Sequence, residues 1–477
     1  MTRHEPPPAP GHAPELKRVL GFGDLVLFYV VAVFAIRMVP LAASIGPSVV
    51  VLWIVALISF FLPLGLATTD LSSRFPDEGG IYVWTKMAFG EFHGFLAAWT
   101  YWTSNAVYLP SLLLFTSTQA AFVVPGTRAL ADDRLFLTAF SVVCLLVLLA
   151  INVRGLEAAT KLHNLAGMAR FATVLAIVGL GLASWMRFGS ATDLALPNWV
   201  PSLDQVQDLV FLSTLAYMFA GIESGSLLGG EIRDPRRNVP RAIFVGGLLI
   251  AALYIVASLA MLAALSPGEL TGLQGFAHAV GASAGRLGGE SFAVAATSIV
   301  TLLVFVMTIG GGSLWLAAAG RLPFVIGLDR FLPPAFGRLH PRYGSPHVAL
   351  ASLAGAALFL VILSALGGAA EQIYKVLVAL ELVIFFIPNL YLFAALVRLR
   401  HAASPPDAIR VPGGAAGAWI AGGTGFLVTA LSLVLALVPG ESVENRTTFY
   451  LMVFGSLAGN LATGIALYLY GRRRAAT

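Results

Sequence analysis

Residues 217–226 read Tyr217-Met218-Phe219-Ala220-Gly221-Ile222-Glu223-Ser224-Gly225-Ser226: two glycines, two serines and a glutamate inside an otherwise apolar run. Glycine lets the backbone leave helical geometry, and Ser and Glu can satisfy the peptide groups released there. The stretch therefore predicts a membrane helix broken near its midplane. Such a break exposes N–H groups and the positive end of a half-helix dipole, which suit a carboxylate. The competing reading is that the small residues serve close helix packing. That reading leaves the glutamate unexplained.

Around this stretch lies a chain of 477 residues, 58% hydrophobic and 11% charged. A soluble domain carries about 25% charged residues, so this apolar sequence needs lipid to bury it. Twelve apolar runs predict spans at roughly 22–46, 48–70, 92–125, 134–152, 162–187, 206–231, 240–265, 291–321, 347–366, 372–400, 417–439 and 447–471. Each holds about 20 residues or more, enough to cross about 30 Å of hydrocarbon. The segment 268–290 reads as a loop on one side of the membrane, and 322–346, with five prolines, as a loop on the other. Lys and Arg resist translocation, so basic loops stay in the cytoplasm. Of 29 Lys and Arg, only Arg128, Arg134, Arg187, Arg286, Lys375 and Arg446 fall on the loops of the outer side. Lys17, Arg18, Arg154, Lys161, Arg233, Arg236, Arg237 and Arg241 fall on the inner side, as do Arg321, Arg330, Arg338, Arg342, Arg398, Arg400 and Arg472 to Arg474. Both termini are therefore expected in the cytoplasm, which an even number of spans requires.

Several function classes drop out at this stage. The net charge of +5 comes from the cytoplasmic loops and gives no reason to expect nucleic acid. The single cysteine, Cys144, sits in an apolar run and reads as packing. All eight histidines fall at span ends, in loops or in the tail, so no haem or metal centre is expected in the bilayer. No P-loop pattern is present, which argues against ATP-driven transport. No cofactor is expected. The N-terminal tail, 1–15, is Pro-rich and polar and reads as disordered, not as a cleaved signal peptide.

Four charges fall inside the predicted spans: Arg37, Arg170, Glu223 and Glu381. A charge in hydrocarbon costs several kcal/mol, about 2.5–3.5 on insertion scales, and faces a cavity or a partner. Two are positive and two negative, so they can compensate one another. Snorkelling to an interface is the alternative. It suits Glu381, in a long helix, best, and suits least Arg37 and Glu223, which lie deep and beside helix breakers. In the first span the run Val33-Phe34-Ala35-Ile36-Arg37-Met38-Val39-Pro40 has no glycine and is interrupted by Arg37 and Pro40 instead. The first and sixth spans are five apart. In transporters built from inverted repeats, broken helices at corresponding positions form the substrate site. Aromatic residues gather in the third span (Trp99, Tyr101, Trp102, Tyr108), the sixth (Tyr217) and the eighth (Trp315). Most membrane Trp and Tyr anchor at interfaces, but Tyr217 and Trp315 lie too deep. A rigid aromatic at that depth would serve as an occluding lid.

Three motifs carry a family resemblance. The first joins Gly221-Ile222-Glu223-Ser224 to Glu231-Ile232-Arg233-Asp234-Pro235-Arg236-Arg237-Asn238-Val239-Pro240. The second is Phe75-Pro76-Asp77-Glu78-Gly79-Gly80-Ile81-Tyr82 with Ala88-Phe89-Gly90, and the third Leu328-Asp329-Arg330-Phe331-Leu332-Pro333-Pro334. With these in order, the chain from about residue 16 onward resembles the amino acid–polyamine–organocation superfamily of transporters. Ala35 to Pro40, followed by Gly46, is similar to helix 1 of permeases related to the glutamate/GABA exchangers. The resemblance implies an all-α membrane protein of 12 transmembrane helices. It implies a core at 16–400 of ten helices in a five-plus-five inverted repeat, with helices 1 and 6 broken. Residues 401–477 would then hold a linker, helices 11 and 12 and a short basic tail.

The resemblance also implies an amino acid or amine bound between the two breaks, with Val33, Phe34, Arg37, Ala220, Gly221 and Glu223 at the substrate. By position, Tyr217 matches a gating aromatic of helix 6, Trp315 a substrate-contacting aromatic of helix 8, and Tyr101 a tyrosine near the extracellular gate. Many members carry a glycine pair where this chain has Ala32-Val33-Phe34-Ala35, so helix 1 N–H groups alone are not expected to hold a carboxylate. Arg170 lies near a helix 5 lysine that stands in for sodium in some members. Arg170 and Glu223 are thus the ion-coupling candidates, and transport is expected to be sodium-independent.

The leading expectation is a secondary transporter for amino acids or related amines in the cytoplasmic membrane, working by proton symport or exchange. A polyamine or organocation transporter is an alternative. A non-transporting sensor that kept the fold is another; both tails are too short to fold as an output domain. A membrane-embedded enzyme is disfavoured because no His/Cys constellation lies at the midplane. The partners expected are the substrate and membrane lipid. Substrate identity and oligomeric state stay open.

Overall fold

The computed structural model describes residues 18–201, 206–270, 274–329, 331–366, 370–438 and 446–475. The expected disordered tail, 1–15, lies outside them. The regular secondary structure of the described residues is helical, apart from one isolated bridge that pairs Leu20 with Ile232. The first span is split into α1 (Phe22–Val33) and α2 (Val39–Ala43). The second consists of α3 (Val49–Ala56) and α4 (Leu62–Arg74), joined by a π-helical turn at Leu57–Phe61. Next come α5 (Ile81–Phe89), α6 (Glu91–Ala120), α7 (Arg134–Val153), α8 (Leu156–Phe188) and α9 (Val206–Met218). They are followed by α10 (Pro235–Ala264), α11 (Gly275–Ala319), α12 (Leu322–Leu328), α13 (His347–Ala365), α14 (Ala370–Leu399), α15 (Gly414–Ala436) and α16 (Arg446–Ala475).

Eleven helical stretches among the described residues are long and apolar enough to cross a membrane. The twelve runs read from the sequence differ from these by one. The exception is α6, 30 residues long, whose Thr, Ser, Asn and Gln side chains lower its hydropathy. Those side chains are turned inward: Thr100, Thr103, Ser104, Asn105, Ser111, Thr116 and Gln119 are all buried.

Two segments read as loops hold helix. Residues Gly275 to Gly288 continue into the eighth span as part of α11, and the joint is Gly289 at φ 76°. Leu322–Leu328 forms α12 where a Pro-rich loop was expected. His163, placed at a span end by the sequence, is buried and pairs with Ser313 Oγ at 3.2 Å, because α8 begins at Leu156. The interior is built where α1, α6, α8, α11 and α14 approach one another around the two broken helices.

Candidate functional site

The break in the first span follows from its proline. Pro40 sits in the first turn of α2, where a missing N–H is harmless. In a continuous helix its ring would clash with the carbonyl four residues earlier. The chain therefore leaves the helix upstream: Phe34 and Ala35 are extended (ψ 102° and 91°), followed by a short 3₁₀ turn at Ile36–Met38. The break in the sixth span turns on Gly221, whose φ of 112° lies in the region that favours glycine. A Cβ there would stand 2.9 Å from Trp315 Cζ2, so the glycine is also required by close approach. A 3₁₀ helix at Ile222–Glu231 resumes the span.

Side chains from other helices satisfy the first break. Arg170, 4% exposed, donates through Nη2 to Val31 O at 2.7 Å, Nε to Phe34 O at 3.2 Å and Nη1 to Met307 O at 2.9 Å. Nη1 also reaches Ala166 O at 3.4 Å. All four acceptors are backbone carbonyls, and two belong to the C-terminal end of α1, where the half-helix dipole is negative. The Tyr254 hydroxyl accepts from Ala35 N–H at 2.9 Å and donates to Val33 O at 2.7 Å, with Met218 O at 3.1 Å. One phenol thus joins both breaks. The second break is satisfied from within: Gly221 N–H donates to Glu223 Oε2 at 3.0 Å, and Tyr101 OH donates to Glu223 Oε1 at 2.9 Å. The helix terminus expected to receive a carboxylate is capped by the chain's own glutamate.

Between the breaks lies a cavity of about 40 Å³. Ala32, Val33, Ala35, Arg37 and Met38 line it from the first break, and Tyr217, Met218 and Ala220 from the second. Ser104, Asn105 and Tyr108 come from α6, Trp315 from α11, and Glu381 and Phe385 from α14. A water needs about 10–15 Å³ by this measure, so the cavity admits a few waters and no amino acid. The site is closed.

Arg37 is buried and faces this cavity. Its Nη2 pairs with Glu381 Oε1 at 2.9 Å and its Nη1 donates to Ser111 Oγ at 3.1 Å. Its guanidinium also lies 5.1 Å from the Tyr108 ring centroid. Glu381, fully buried, accepts in addition from Tyr217 OH at 2.9 Å and Ser111 Oγ at 2.8 Å. One ion pair therefore links α6, α14 and both broken helices. Removing either partner of such a pair leaves an uncompensated buried charge, at a cost of about 3–5 kcal/mol.

Five of the nine substrate residues expected from the sequence line the cavity: Val33, Arg37, Tyr217, Ala220 and Trp315. The other four stand one layer behind. Phe34 packs on Tyr254 with ring centroids 4.8 Å apart, Tyr101 and Glu223 bond to each other, and Gly221 lies under Trp315. Glu381, read as best suited to snorkelling, is instead at the centre of the site. Ser104, Asn105 and Ser111 were not singled out at all. The signal for them was present: Tyr101, Ser104, Tyr108 and Ser111 recur every three or four residues and so mark one helix face.

Comparisons with known proteins identify the class of membrane protein to which the chain is similar. A transporter of Legionella pneumophila, itself described as uncharacterized, is 25% identical over 461 residues, covering 95% of this chain and 96% of that protein. A probable agmatine/putrescine antiporter of Lactococcus lactis is 24% identical over 379 residues, 79% of this chain and 78% of that protein. A glutamate/serine transporter of Bacillus subtilis is 25% identical over 320 residues, 64% of this chain and 57% of that protein. All three are transporters and none is an enzyme. The sequence profile of the amino acid permease family matches residues 19–458, and the chain, a multi-pass membrane protein with two broken helices around a small cavity, belongs to that family.

Proposed function

We propose that the chain is a secondary active transporter that moves an amino acid or related amine across the cytoplasmic membrane by alternating access. The observation that carries this reading is the meeting of two helix breaks at a closed cavity, tied across by Arg37 and Glu381. In this reading ten helices at 16–400 form the inverted-repeat core, α6 completes a set of twelve spans, and both termini are cytoplasmic. Tyr217 and Trp315 flank the substrate and act as its lid, with Tyr101 behind Trp315 at a centroid distance of 6.3 Å.

Coupling is by proton symport or substrate exchange, without sodium. Arg170 fills with its guanidinium a nest of carbonyl oxygens of the kind a hard cation takes. Arginine stays protonated, so it does not carry the proton. Glu223, buried and held by Tyr101 and Gly221, is the carrier at the centre.

The site has two features that would receive a carboxylate, the Arg37 guanidinium and the Gly221 N–H. Both are already engaged by the chain's own carboxylates. This favours a second reading in which the substrate is a polyamine or other organocation, bound through its ammonium to Glu381 and the surrounding rings. The relative named for glutamate/serine fits the first reading, and the one named for agmatine/putrescine fits the second.

A thermal-shift screen of purified protein against amino acids and polyamines tests both. A ligand at 100 times its dissociation constant adds about 2.7 kcal/mol, a readable rise in melting temperature. Hits are then assayed for uptake into proteoliposomes. If no amino acid or amine shifts the melting temperature and none is taken up, transport of this class is excluded and a sensor role takes its place.

A further inference from the structure

At the end of the molecule where the first helix begins, four segments meet over a buried charge cluster that the central cavity does not use. They are the N-terminal strand around Leu20, the turn 75–80, the end of the 3₁₀ segment at Glu231, and the end of α11 at Arg321. The strand is fixed by Val19 N–H and Leu20 N–H, which donate to Glu231 O at 2.9 and 3.1 Å. Arg321, 2% exposed, bonds through all three of its nitrogens to two residues. Its Nε and Nη2 donate to the two carboxylate oxygens of Glu231, and its Nη1 donates to Ala317 O.

Glu78 is left as the second carboxylate beside this guanidinium and receives no hydrogen bond from it among the described residues. Its Oε1 lies 3.7 Å from Arg321 Nε, beyond hydrogen-bond reach, and is buried without a donor. Its Oε2 accepts only Gly230 N–H, at 2.7 Å. The side chain as a whole is 15% exposed. Among the described residues, the nearest other charges on the turn and its flanking helices do not bond to Glu78. Lys86 and Tyr82 both bond to Asp329, Arg74 bonds to Asp70, and Asp77 is exposed. With both carboxylates ionised the cluster carries one uncompensated negative charge, which burial penalises. Burial, reinforced by the Glu231 carboxylate, pushes the Glu78 carboxyl up to about 8 against the opposing pull of Arg321 and Gly230 N–H.

We propose that Glu78 is a proton-binding site separate from the central cavity, loaded when the turn 75–80 is packed on Glu231 and Arg321 and emptied when these segments part. On loading, the Glu78 carboxylate takes one proton from water at Oε1 and becomes a neutral acid. The cluster then holds one cation and one anion. When the turn lifts away, Glu78 regains water, its affinity for the proton falls to that of an ordinary carboxyl, and the proton leaves at neutral pH. Closing this end therefore takes up a proton. By linkage, acid on this side favours the closed state. The loading step is a property of the closed protein alone; the emptying step rests on the alternating-access reading.

The test uses purified full-length protein without substrate. The folded-state proton affinity of Glu78 is raised, so its contribution to stability is complete below its unfolded pKa and is lost as pH rises through the folded value. Wild type is expected to lose melting temperature between about pH 5 and pH 9, and Glu78→Gln to lose much less and to exceed wild type at the alkaline end. An equal slope in the two proteins overturns the proposal. A second measurement needs no variant. Dicyclohexylcarbodiimide attacks protonated carboxyls in apolar surroundings, and its adducts are mapped by mass spectrometry. Labelling of Glu78 is expected at about pH 6.5 and to fall about tenfold by about pH 9, one unit above the midpoint. Labelling that is independent of pH, or confined to Glu231, overturns the proposal. Neither readout requires transport, so a wild type that titrates here but moves no substrate would remove the transport reading and leave this site standing.

Discussion

The two helix breaks open the same kind of gap by different means. At the first break no glycine is present; Phe34 and Ala35 leave helical geometry just ahead of the short helical segment that carries Pro40. The peptide groups freed there are satisfied by Arg170 from α8 and Tyr254 from α10, more than a hundred residues away along the chain. In the sixth span Gly221 supplies the turn, and Glu223, two residues on, caps the N–H it frees. One break depends on its neighbours and the other largely on itself. The difference teaches where each can move. A break held by distant helices is coupled to their positions, whereas a self-capped break can travel as a unit with its half-helix.

The strongest way to break this comparison is through the pair that ties the two breaks together. Arg37→Ala leaves Glu381 buried without its cation, and a loss of about 3–5 kcal/mol is expected together with loss of uptake. Arg37→Lys should not restore uptake, because lysine offers a point charge in place of the fork that reaches both Glu381 and Ser111. Unfolding curves and proteoliposome uptake check both variants. Wild-type values for Arg37→Ala would mean that the pair holds nothing together.

A smaller effect is expected from Tyr254→Phe, which removes the acceptor of Ala35 N–H and the donor to Val33 O while keeping the ring. Leaving such groups unsatisfied costs about 1–3 kcal/mol. If the first break really depends on its neighbours, hydrogen exchange at Ala35 and Ile36 should speed up while exchange at Ile222 and Glu223 stays slow. Acceleration at both breaks equally would erase the distinction between them.

Gly221→Ala attacks the self-contained break. A left-handed backbone with a Cβ costs about 1–2 kcal/mol, and the new carbon would press on the Trp315 ring. A lowered melting temperature and slower turnover are expected. Unchanged turnover would show that the lid does not need this approach.

The smallest effect concerns the lid itself. A ring face holds an ammonium with about 0.5–2 kcal/mol, so Trp315→Leu should weaken binding of an amine-bearing substrate by up to about 30-fold. Tyr217→Ala should slow exchange more than it weakens binding, since a lid governs occlusion and release. Equilibrium binding and exchange rates measured on the same preparations separate the two.

Much of the site could be read from the chain because its signals are local. Gly221 and Glu223 stand two residues apart, Arg37 and Pro40 three, and each sits in an apolar run where such residues are out of place. Glu381 was misjudged for the opposite reason. On α14 it is a single acid in a long helix, and nothing near it in sequence distinguishes a buried ion from one reaching for the interface. Its cation lies 344 positions away. The face of α6 falls between these cases: its three- and four-residue spacing is local, but a stripe of Ser, Tyr and Asn shows its meaning only once the helix is known to face a cavity.

The sequence by itself determined that this chain is a multi-pass membrane protein and where its first and sixth spans break. Those properties follow from apolar length and from Gly, Pro and charged residues set in apolar runs, all encoded over a few neighbouring residues. Only the tertiary structure decided which charges neutralise which: Arg37 with Glu381, Arg170 with carbonyl oxygens, and Arg321 with Glu231 ahead of Glu78. Pairing in a low-dielectric interior is set by distances of a few ångströms between helices remote in the chain, and no local pattern of residues fixes those distances.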